Sequence, residues 1–360
     1  MRIATARVVP VRLRFARPVA TARGEFRERE SVLLELRDTD GFVGVGEAAP
    51  WPGFGTETAD EAHVALRAVA TRLEGAQVDP AAARDAGTTM PGHAPAARAA
   101  LQGALWDLAA RRAGRPLAAQ LAGWAPVLAA APRRHVDVSA LLSAREPELV
   151  REEARRARDA GHRAVKLKLG ALPFALDMLR VRAAREGIGP QVRLRCDANG
   201  AWSLDEARAA LEALAGFDLD YLEQPVAACD FAGLAALRGH SAVRIAADES
   251  VADEEGALRL IEAGAVDAVV LKPAMLGGPG RALEIAATAH RAGVSVVFSH
   301  AFETAVGAHH ALHCAAAWGD PDGVHGLVTA GLFDGDVAAP VASLGGRVEI
   351  PGTPGIGVTL

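Results

Sequence analysis

Three lysines stand in a chain of 360 residues whose Lys and Arg together number 39. Lys166 and Lys168 lie in Ala164-Val165-Lys166-Leu167-Lys168-Leu169-Gly170, and Lys272 lies in Leu271-Lys272-Pro273. Arginine stays charged inside proteins, whereas a buried lysine amine shifts its proton affinity readily and serves as a base or a Schiff-base nucleophile. A chain that takes nearly all its positive charge from arginine marks its few lysines as candidates for chemistry. Three acids complete the pattern: Asp197, Glu223 and Asp248. From Lys168 through these acids to Lys272 the intervals are 29, 26, 25 and 24 residues, each about one strand, one helix and two loops.

Three carboxylates delivered side by side repel one another unless a cation sits among them. An all-oxygen set with positions left for water or substrate suits Mg²⁺, with Mn²⁺ as the alternative. Thiolate or imidazole ligands, which would favour zinc, are absent from these positions. Side chains alternate along a strand, so Lys166 and Lys168 share a face. In an eight-stranded rim the second and sixth strands lie on opposite sides, so the lysines bracket the proposed cation. Crowding of two amines beside a metal is expected to lower the proton affinity of each and leave one basic at working pH. A small-molecule carboxylate substrate facing such an amine would lose its α-proton to give a metal-stabilised enediolate.

The elements that must position these groups follow from hydrophobic patterning. Ile3–Leu13 and Glu30–Leu36 read as strands, and Asp38-Thr39-Asp40-Gly41 as a hairpin turn before Phe42–Ala48. A polar loop is expected at Thr21–Arg29 and a Gly/Pro/aromatic loop at Pro50–Glu57. Helices are expected at Thr58–Leu73 and Ala94–Ala113, the second closed by Gly114-Arg115-Pro116. Beyond residue 135 the pattern changes to short apolar strands alternating with amphipathic helices. The strands are expected at Val136–Leu141, Ala164–Leu169, Val192–Asp197, Leu219–Glu223, Val243–Ala247, Ala268–Leu271 and Val294–Ser299, with an eighth near Val324–Leu327. This is an α/β class with a parallel sheet covered by helices, and the strand number fits a closed barrel. Each unit then brings one ionisable group to the carboxyl-end rim, where such barrels build active sites. No G-x-G-x-x-G follows the first strand, so a dinucleotide site is unsupported. The Gly/Pro-rich segment Gly331–Leu360, with a strand at Arg347–Ile350, is expected to pack back on the amino-terminal sheet.

A net charge of −5 and a pI near 6.1 argue against a nucleic-acid surface. No run of about 18 apolar residues suggests a membrane span, and Met1–Pro18 alternates in polarity where a signal peptide needs an apolar core. A cytoplasmic protein without membrane partners is expected. Cys196, Cys229 and Cys314 are too few and too scattered for a disulfide framework. Of the clustered histidines, only His309 and His313 have the i, i+4 spacing of a shared helical face, and packing or surface roles are expected for the group.

The motifs Lys166-Leu167-Lys168, Asp197-Ala198-Asn199-Gly200-Ala201-Trp202, Leu222-Glu223-Gln224-Pro225, Ala247-Asp248-Glu249-Ser250 and Leu271-Lys272-Pro273 resemble those of the enolase superfamily, in its muconate-cycloisomerase-like branch. Ala104–Ala109 with Gly114–Leu117 is similar to the helix leading into that family's barrel, so the resemblance spans nearly the whole chain. It implies a modified (β/α)₇β barrel of the TIM type under an α+β capping domain. The expected domains are 1–130 for the cap and lead-in helix, 131–325 for the barrel, and 326–360 for a segment returning to the cap. The Thr21–Arg29 and Trp51–Thr56 loops become lids over the rim.

Residue by residue, the resemblance implies Asp197, Glu223 and Asp248 as Mg²⁺ ligands and Lys168 as the acid/base. Lys166 would orient and tune Lys168, and Lys272 would stabilise the intermediate or act as a second acid/base. Asn199 and Glu249 would support the ligands, Glu249 with a contact to Lys272. Within the branch the chain is most similar to the o-succinylbenzoate synthases of menaquinone biosynthesis. The cues are Lys272–Gly278, Ser299–Gly307 and His325–Phe333, together with the lack of an acid pair in the eighth-strand region that could hold a peptide amine. Racemases of N-acylated amino acids, and other cycloisomerases or epimerases of the branch, are the alternative. Ser299 and Thr304 at the seventh strand are candidates for polar contacts to the substrate's tail, and a helix-cap role is expected at least as much for them. The partner is a small carboxylate, and the chain itself a monomer or homo-oligomer. A Schiff-base aldolase would use a strand-end lysine too but leaves the three carboxylates unexplained. A non-catalytic descendant of the barrel leaves the intact lysines and acids unexplained.

Overall fold

The computed structural model describes residues 1–21, 24–79, 90, 92–124, 128 and 131–360. Its amino-terminal part is a three-stranded antiparallel sheet of β1 (Ile3–Thr21), β2 (Gly24–Asp38) and β3 (Val43–Ala48). The polar loop expected at Thr21–Arg29 is instead mainly strand. β1 and β2 keep pairing past Arg14↔Glu28 to Thr21↔Gly24, and residues 22 and 23 lie outside the described residues.

Helices α1 (Ala59–Leu73) and α2 (Pro95–Arg112) pack on this sheet, and α3 (Leu117–Ala122) packs against α2. Thr58 and Glu61 form a reciprocal capping box at the start of α1. The alternation Val43-Gly44-Val45-Gly46 lets α2 lie against β3 itself. A Cβ on Gly44 would meet the Ala104 carbonyl at 2.2 Å, and one on Gly46 the Ala100 carbonyl at 1.9 Å. Alanine at these helix positions and glycine on the strand together allow main-chain contact.

The rest of the chain closes a barrel. The expected first strand divides into β4 (His135–Val138) and β5 (Ala140–Leu142). From β5 a parallel sheet continues through β6 (Ala164–Lys168), β7 (Arg193–Asp197), β8 (Leu219–Glu223), β9 (Ile245–Ala247), β10 (Ala268–Leu271) and β11 (Ser295–Phe298), in that spatial order. The short β12 (Val324–His325) pairs parallel with β4, and Ser299 after β11 bridges Gly326 after β12, which shuts the ring. The connecting helices are α4 (Pro147–Asp159), α5 (Phe174–Ile188), α6 (Leu204–Leu214), α7 (Phe231–Leu237), α8 (Glu254–Glu262), α9 (Pro279–Arg291) and α10 (Ala305–Trp318). This is a modified (β/α)₇β barrel of the TIM type, with the amino-terminal α+β unit as its cap.

Below the rim the barrel interior is filled by Tyr221, Ala246, Ala268, Val270 and Val297. Arg195 lies against the Tyr221 ring at 4.8 Å and donates to Asp220 and the Val324 carbonyl. The strand expected at Arg347–Ile350 forms as β13 (Arg347–Glu349). It pairs with β4 at the foot of the barrel rather than with the amino-terminal sheet. Other parts of the same segment do touch the cap: Leu332 and Asp334 bond to β1, and Gly355 and Ile356 bond to Leu117 and Asp107. Among the described residues, no helix is long and apolar enough to cross a membrane.

Candidate active site

Strand register sets the site before any side chain is considered. Lys168 is paired with Asp197, and Asp197 with Glu223, so three chemistry-bearing residues stand abreast on β6, β7 and β8. Asp248 follows the end of β9, and Lys272 follows the end of β10. All lie at the carboxyl ends of the strands, and all but Glu223 line a cavity of about 450 Å³ roofed by the cap.

The acids and amines form two linked clusters. Lys166 Nζ lies 2.9 Å from Asp197 Oδ2 and 2.6 Å from Glu223 Oε1. Lys272 Nζ lies 2.5 Å from Asp248 Oδ1 and stands 4.6 Å from the centroid of the Phe54 ring. The Asn199 backbone N–H and side-chain amide both donate to Asp197, at 2.9 and 3.2 Å, and the amide also reaches Glu249 Oε1 at 3.0 Å. Lys168 lines the cavity, and among the described residues its amine makes no ion pair.

Burial and charge divide the protons unevenly. Burial alone would raise the Asp197 carboxyl, but Lys166, Lys168 and the Asn199 N–H hold it below the ordinary carboxylate range. Glu223 is pushed up to about 8 by burial and by the charges of Asp197 and Asp248, which outweigh Lys166. Lys166 is held firmly charged, since Asp197 and Glu223 overcome its burial. These directions describe one state, an ionised Lys166 with Asp197 and a Glu223 that favours its proton. For Lys166 the expected lowering of proton affinity does not occur in this arrangement. The carboxylates are nearer to Lys166 than another amine is, and Lys272 is likewise raised by Asp248 and Glu249. Glu249 is pushed up to about 7 by burial and the Asp248 charge.

Among the described residues, no three carboxylate, imidazole or thiolate groups are already gathered as a metal cluster. The ammonium groups of Lys166 and Lys272 lie between the acids and neutralise them instead. The donor set nevertheless fits a hard cation. Asp197 and Glu223 are 1 % exposed, all three acids offer oxygen, and the buried Glu223 Oε2 has no hydrogen-bond partner.

Other expected residues separate. Ser299 lines the cavity while donating to the Gly326 carbonyl at 3.1 Å. Thr304 is absent from the lining. Its hydroxyl donates to Glu47 Oε2 at 2.6 Å and accepts from the Val306 N–H, capping α10, so the helix-cap role accounts for it. Glu249 bonds to Asn199, and its charge rather than a hydrogen bond reaches Lys272. His309, His310 and His313 are buried, each with Nε2 on a backbone carbonyl, whereas His300 lines the cavity. Burial, Lys272 and Lys166 push His300 down to about 4.

Sequence reasoning passed over Gln224. Its carboxamide oxygen accepts from the N–H groups of Asp248 and Ser250, and its nitrogen donates to Val226 and Ser250. A carboxamide next to Glu223 was the available signal. An Asp-x-Asp pair does exist beyond the eighth strand, at Asp334 and Asp336. Asp336 accepts from the Ala305 and Val337 N–H groups, and neither acid lines the cavity.

Comparison with known proteins agrees with this architecture. Residues 149–360 match the family model described as enolase C-terminal domain-like. Residues 3–123 match the mandelate racemase / muconate lactonizing enzyme N-terminal domain. The hydrophobic dipeptide epimerase of Enterococcus faecalis is 30% identical over 354 residues, covering 96% of this chain and 98% of that one. The o-succinylbenzoate synthase of Mycolicibacterium smegmatis is 42% identical over 229 residues, covering 62% of this chain and 68% of that one. The crystal structure of the Enterococcus faecalis epimerase with Mg and the dipeptide L-Leu-L-Tyr superimposes with a TM-score of 0.88, 27% identity and full coverage of both chains. A barrel with acids and lysines on successive strand ends, under a cap built from the amino terminus, is matched by family models over both parts. The chain therefore belongs to the mandelate racemase and muconate lactonizing enzyme family of the enolase superfamily.

Proposed function

We propose that this chain is an o-succinylbenzoate synthase that dehydrates 2-succinyl-6-hydroxy-2,4-cyclohexadiene-1-carboxylate with Mg²⁺, as a cytoplasmic step of menaquinone biosynthesis. The observation that carries this reading is the division of the cavity. Its ionised groups are gathered at the strand ends, and the wall on the eighth-strand side is Gly326, Leu327, Val328 and Leu332. Among the described residues no acid faces the cavity there to receive the ammonium of a free dipeptide or to repel the terminal carboxylate of a succinyl chain. The Mycolicibacterium smegmatis synthase at 42% identity supports the same reading.

Asp197, Glu223 and Asp248 would hold the cation, which when bound supplies Lewis-acid neutralisation of the substrate carboxylate. Lys168, the amine without an ion pair, takes the proton α to the carboxylate. The charged Lys166 shares that face of β6 and is held in place by Asp197 and Glu223. Lys272, on the opposite flank and held by Asp248 and Phe54, places its ammonium against the ring as negative charge spreads through it. Lys168 then returns its proton to the departing 6-hydroxyl, so that water leaves and the ring becomes aromatic. Trp51, Phe54 and Phe302 close the cavity from above and keep bulk water from the reacting centre.

A second reading, racemisation of N-succinylamino acids or a related epimerisation, is favoured by one feature. Lys168 and Lys272 approach from opposite flanks, as two-base inversion requires, and the epimerase relative matches over the full chain. The test is aromatisation of the cyclohexadiene substrate, followed by absorbance, in parallel with α-deuterium exchange of N-succinyl amino acids. Rapid aromatisation that requires both Mg²⁺ and Lys168 supports the synthase. Exchange without aromatisation replaces it with the racemase, and full activity in excess chelator removes both.

A further inference from the structure

The cap and the barrel meet at a joint where two buried side chains of opposite charge do opposite work. Glu47, on β3, accepts from the Thr304 N–H at 3.0 Å, the Thr304 hydroxyl at 2.6 Å and the Gly307 N–H at 2.8 Å. It thereby satisfies first-turn donors of α10, which have no partner within the helix. Arg29, on β2, does the reverse. Its Nη2 donates to the carbonyls of Ala49 at 2.7 Å and Ala301 at 3.2 Å. Its Nη1 donates to Pro50 at 2.5 Å and its Nε to Phe302 at 3.2 Å.

Arginine is rarely buried without a paired acid. Arg29 is 7% exposed, yet among the described residues no carboxylate is within ion-pair distance. Glu303 and Glu47 attract it from farther away. Apart from a 3.4 Å bond to the neighbouring Glu30 carbonyl, its donors go to the main chain of two loops, one from the cap and one following the seventh barrel strand. Both loops line the cavity, through Trp51 and Phe54 on one side and His300 and Phe302 on the other.

The guanidinium carbon also lies 4.9 Å from the Trp51 ring. From there ring contacts continue across the roof: Trp51 to Phe302 at 5.3 Å, Trp51 to Phe54 at 5.6 Å, then Phe54 to the Lys272 ammonium at 4.6 Å. Phe302 sits at φ +57°, a conformation a phenylalanine adopts when its surroundings fix it. Arg29 bonds that same residue's carbonyl.

We propose that Arg29 is a positioning residue that sets substrate specificity, holding the 49–50 and 301–302 carbonyls so that Trp51 and Phe302 form one wall for the unreactive part of the substrate. The proposal rests on the cavity being the site of turnover, and not on which of the two substrates is turned over. A planar fork with several fixed donors is needed for carbonyls on two loops, so lysine, a single point of charge, does not replace it.

The experiment compares wild type with Arg29→Lys, Trp51→Leu and the double variant, each checked for folding by circular dichroism. Steady-state kinetics and amide hydrogen exchange of residues 49–56 and 300–304 are measured for all. In Arg29→Lys, KM is expected to rise at least tenfold with kcat within about threefold, and both segments to exchange at least tenfold faster. Trp51→Leu is expected to reproduce the KM rise, and the double variant to be little worse than either single one, since the two act through one wall. Additive KM effects, a kcat loss at unchanged KM, or unaltered exchange in both segments overturns the proposal. If wild type turns over neither substrate, the functional reading falls, while hydrogen exchange still decides the claim about Arg29. If Arg29→Lys does not fold, an unchanged KM in Trp51→Leu refutes the wall.

Discussion

Lys166→Met exposes the charge balance of the site most directly. The change keeps the apolar stem and removes one ammonium shared by Asp197 and Glu223, both 1 % exposed. Breaking a buried ion pair by deleting one partner costs about 3–5 kcal/mol, because the remaining charge is left uncompensated. Glu223 already favours its proton, which relieves one of the two bare carboxylates and places the expected loss near 3 kcal/mol. Unfolding entropy of about 2.1 cal/mol/K per residue over 360 residues is close to 0.8 kcal/mol/K, so metal-free Tm should fall by about 4 °C. A cation bound by the same acids replaces the missing charge. At one common saturating Mg²⁺ concentration the variant, binding the ion more tightly, should therefore gain more stability and more Tm than wild type, by about 1.4 kcal/mol for each tenfold difference in Kd. Differential scanning calorimetry with and without Mg²⁺ reads both quantities. Equal Mg²⁺ shifts in the two proteins, or an unchanged metal-free Tm, would refute the idea that Lys166 and the cation answer the same negative charge.

Lys168→Ala should lower kcat by roughly 10²–10⁴-fold, the usual contribution of a positioned base, while Mn²⁺ binding followed by electron paramagnetic resonance stays intact. A near-normal rate would remove Lys168 from the reaction. Glu223→Gln should weaken Mg²⁺ binding in calorimetric titration by at least tenfold, and an unchanged isotherm would take Glu223 out of the ligand set. Burial pushes His310 down to about 4 and His313 and His325 to about 3, from an ordinary 6.5. Below pH 6.5 the unfolded chain binds protons that the folded rings refuse, so stability should fall as pH drops from 6.5 toward 4. For His310 alone the loss is roughly 3 kcal/mol at pH 4. Urea midpoints at pH 7 and pH 4.5, compared with His310→Gln, check this, and a pH-independent difference between the proteins would contradict it.

The barrel and its rim were legible because each βα unit delivers one ionisable residue at a nearly constant interval. Lys168, Asp197 and Glu223 could be placed abreast from spacing alone, and their strand register confirms the placement. What the chain does across long separations was not legible. Arg29 bonds a carbonyl 272 residues away, and Glu47 a backbone amide 257 residues away. Nothing local to either residue carries that information, so Arg29 reads as part of a polar loop and Thr304 as a substrate contact. The division of the first strand was hidden for a related reason. Its two halves pair with different neighbours, β12 and β13 on one side and β6 on the other, and hydrophobicity along Val136–Leu141 does not register partners. The protonation of Lys166 is not legible from spacing, which ranks groups by sequence. In space Lys166 lies closer to two carboxylates than to another amine.

The backbone at the rim shows what the site requires of its turns. After β6, β7 and β8 the chain enters the left-handed region at Gly170, Asn199 and Gln224, with φ of 82°, 46° and 38°. Glycine is the inexpensive answer at such a position, and at Gly170 it is needed, since a Cβ would lie 2.7 Å from that of Ala201. Asn199 and Gln224 take the same region at a cost of about 1–3 kcal/mol each. Their side chains explain why. The Asn199 amide joins Asp197 to Glu249, and the Gln224 carboxamide ties the β8 turn to the backbone of Asp248 and Ser250. Glycine would remove the strain and these links together. The two strained turns thus tie Asp197 and the backbone of Asp248 into the rim on either side of Glu223, through hydrogen bonds that need no metal.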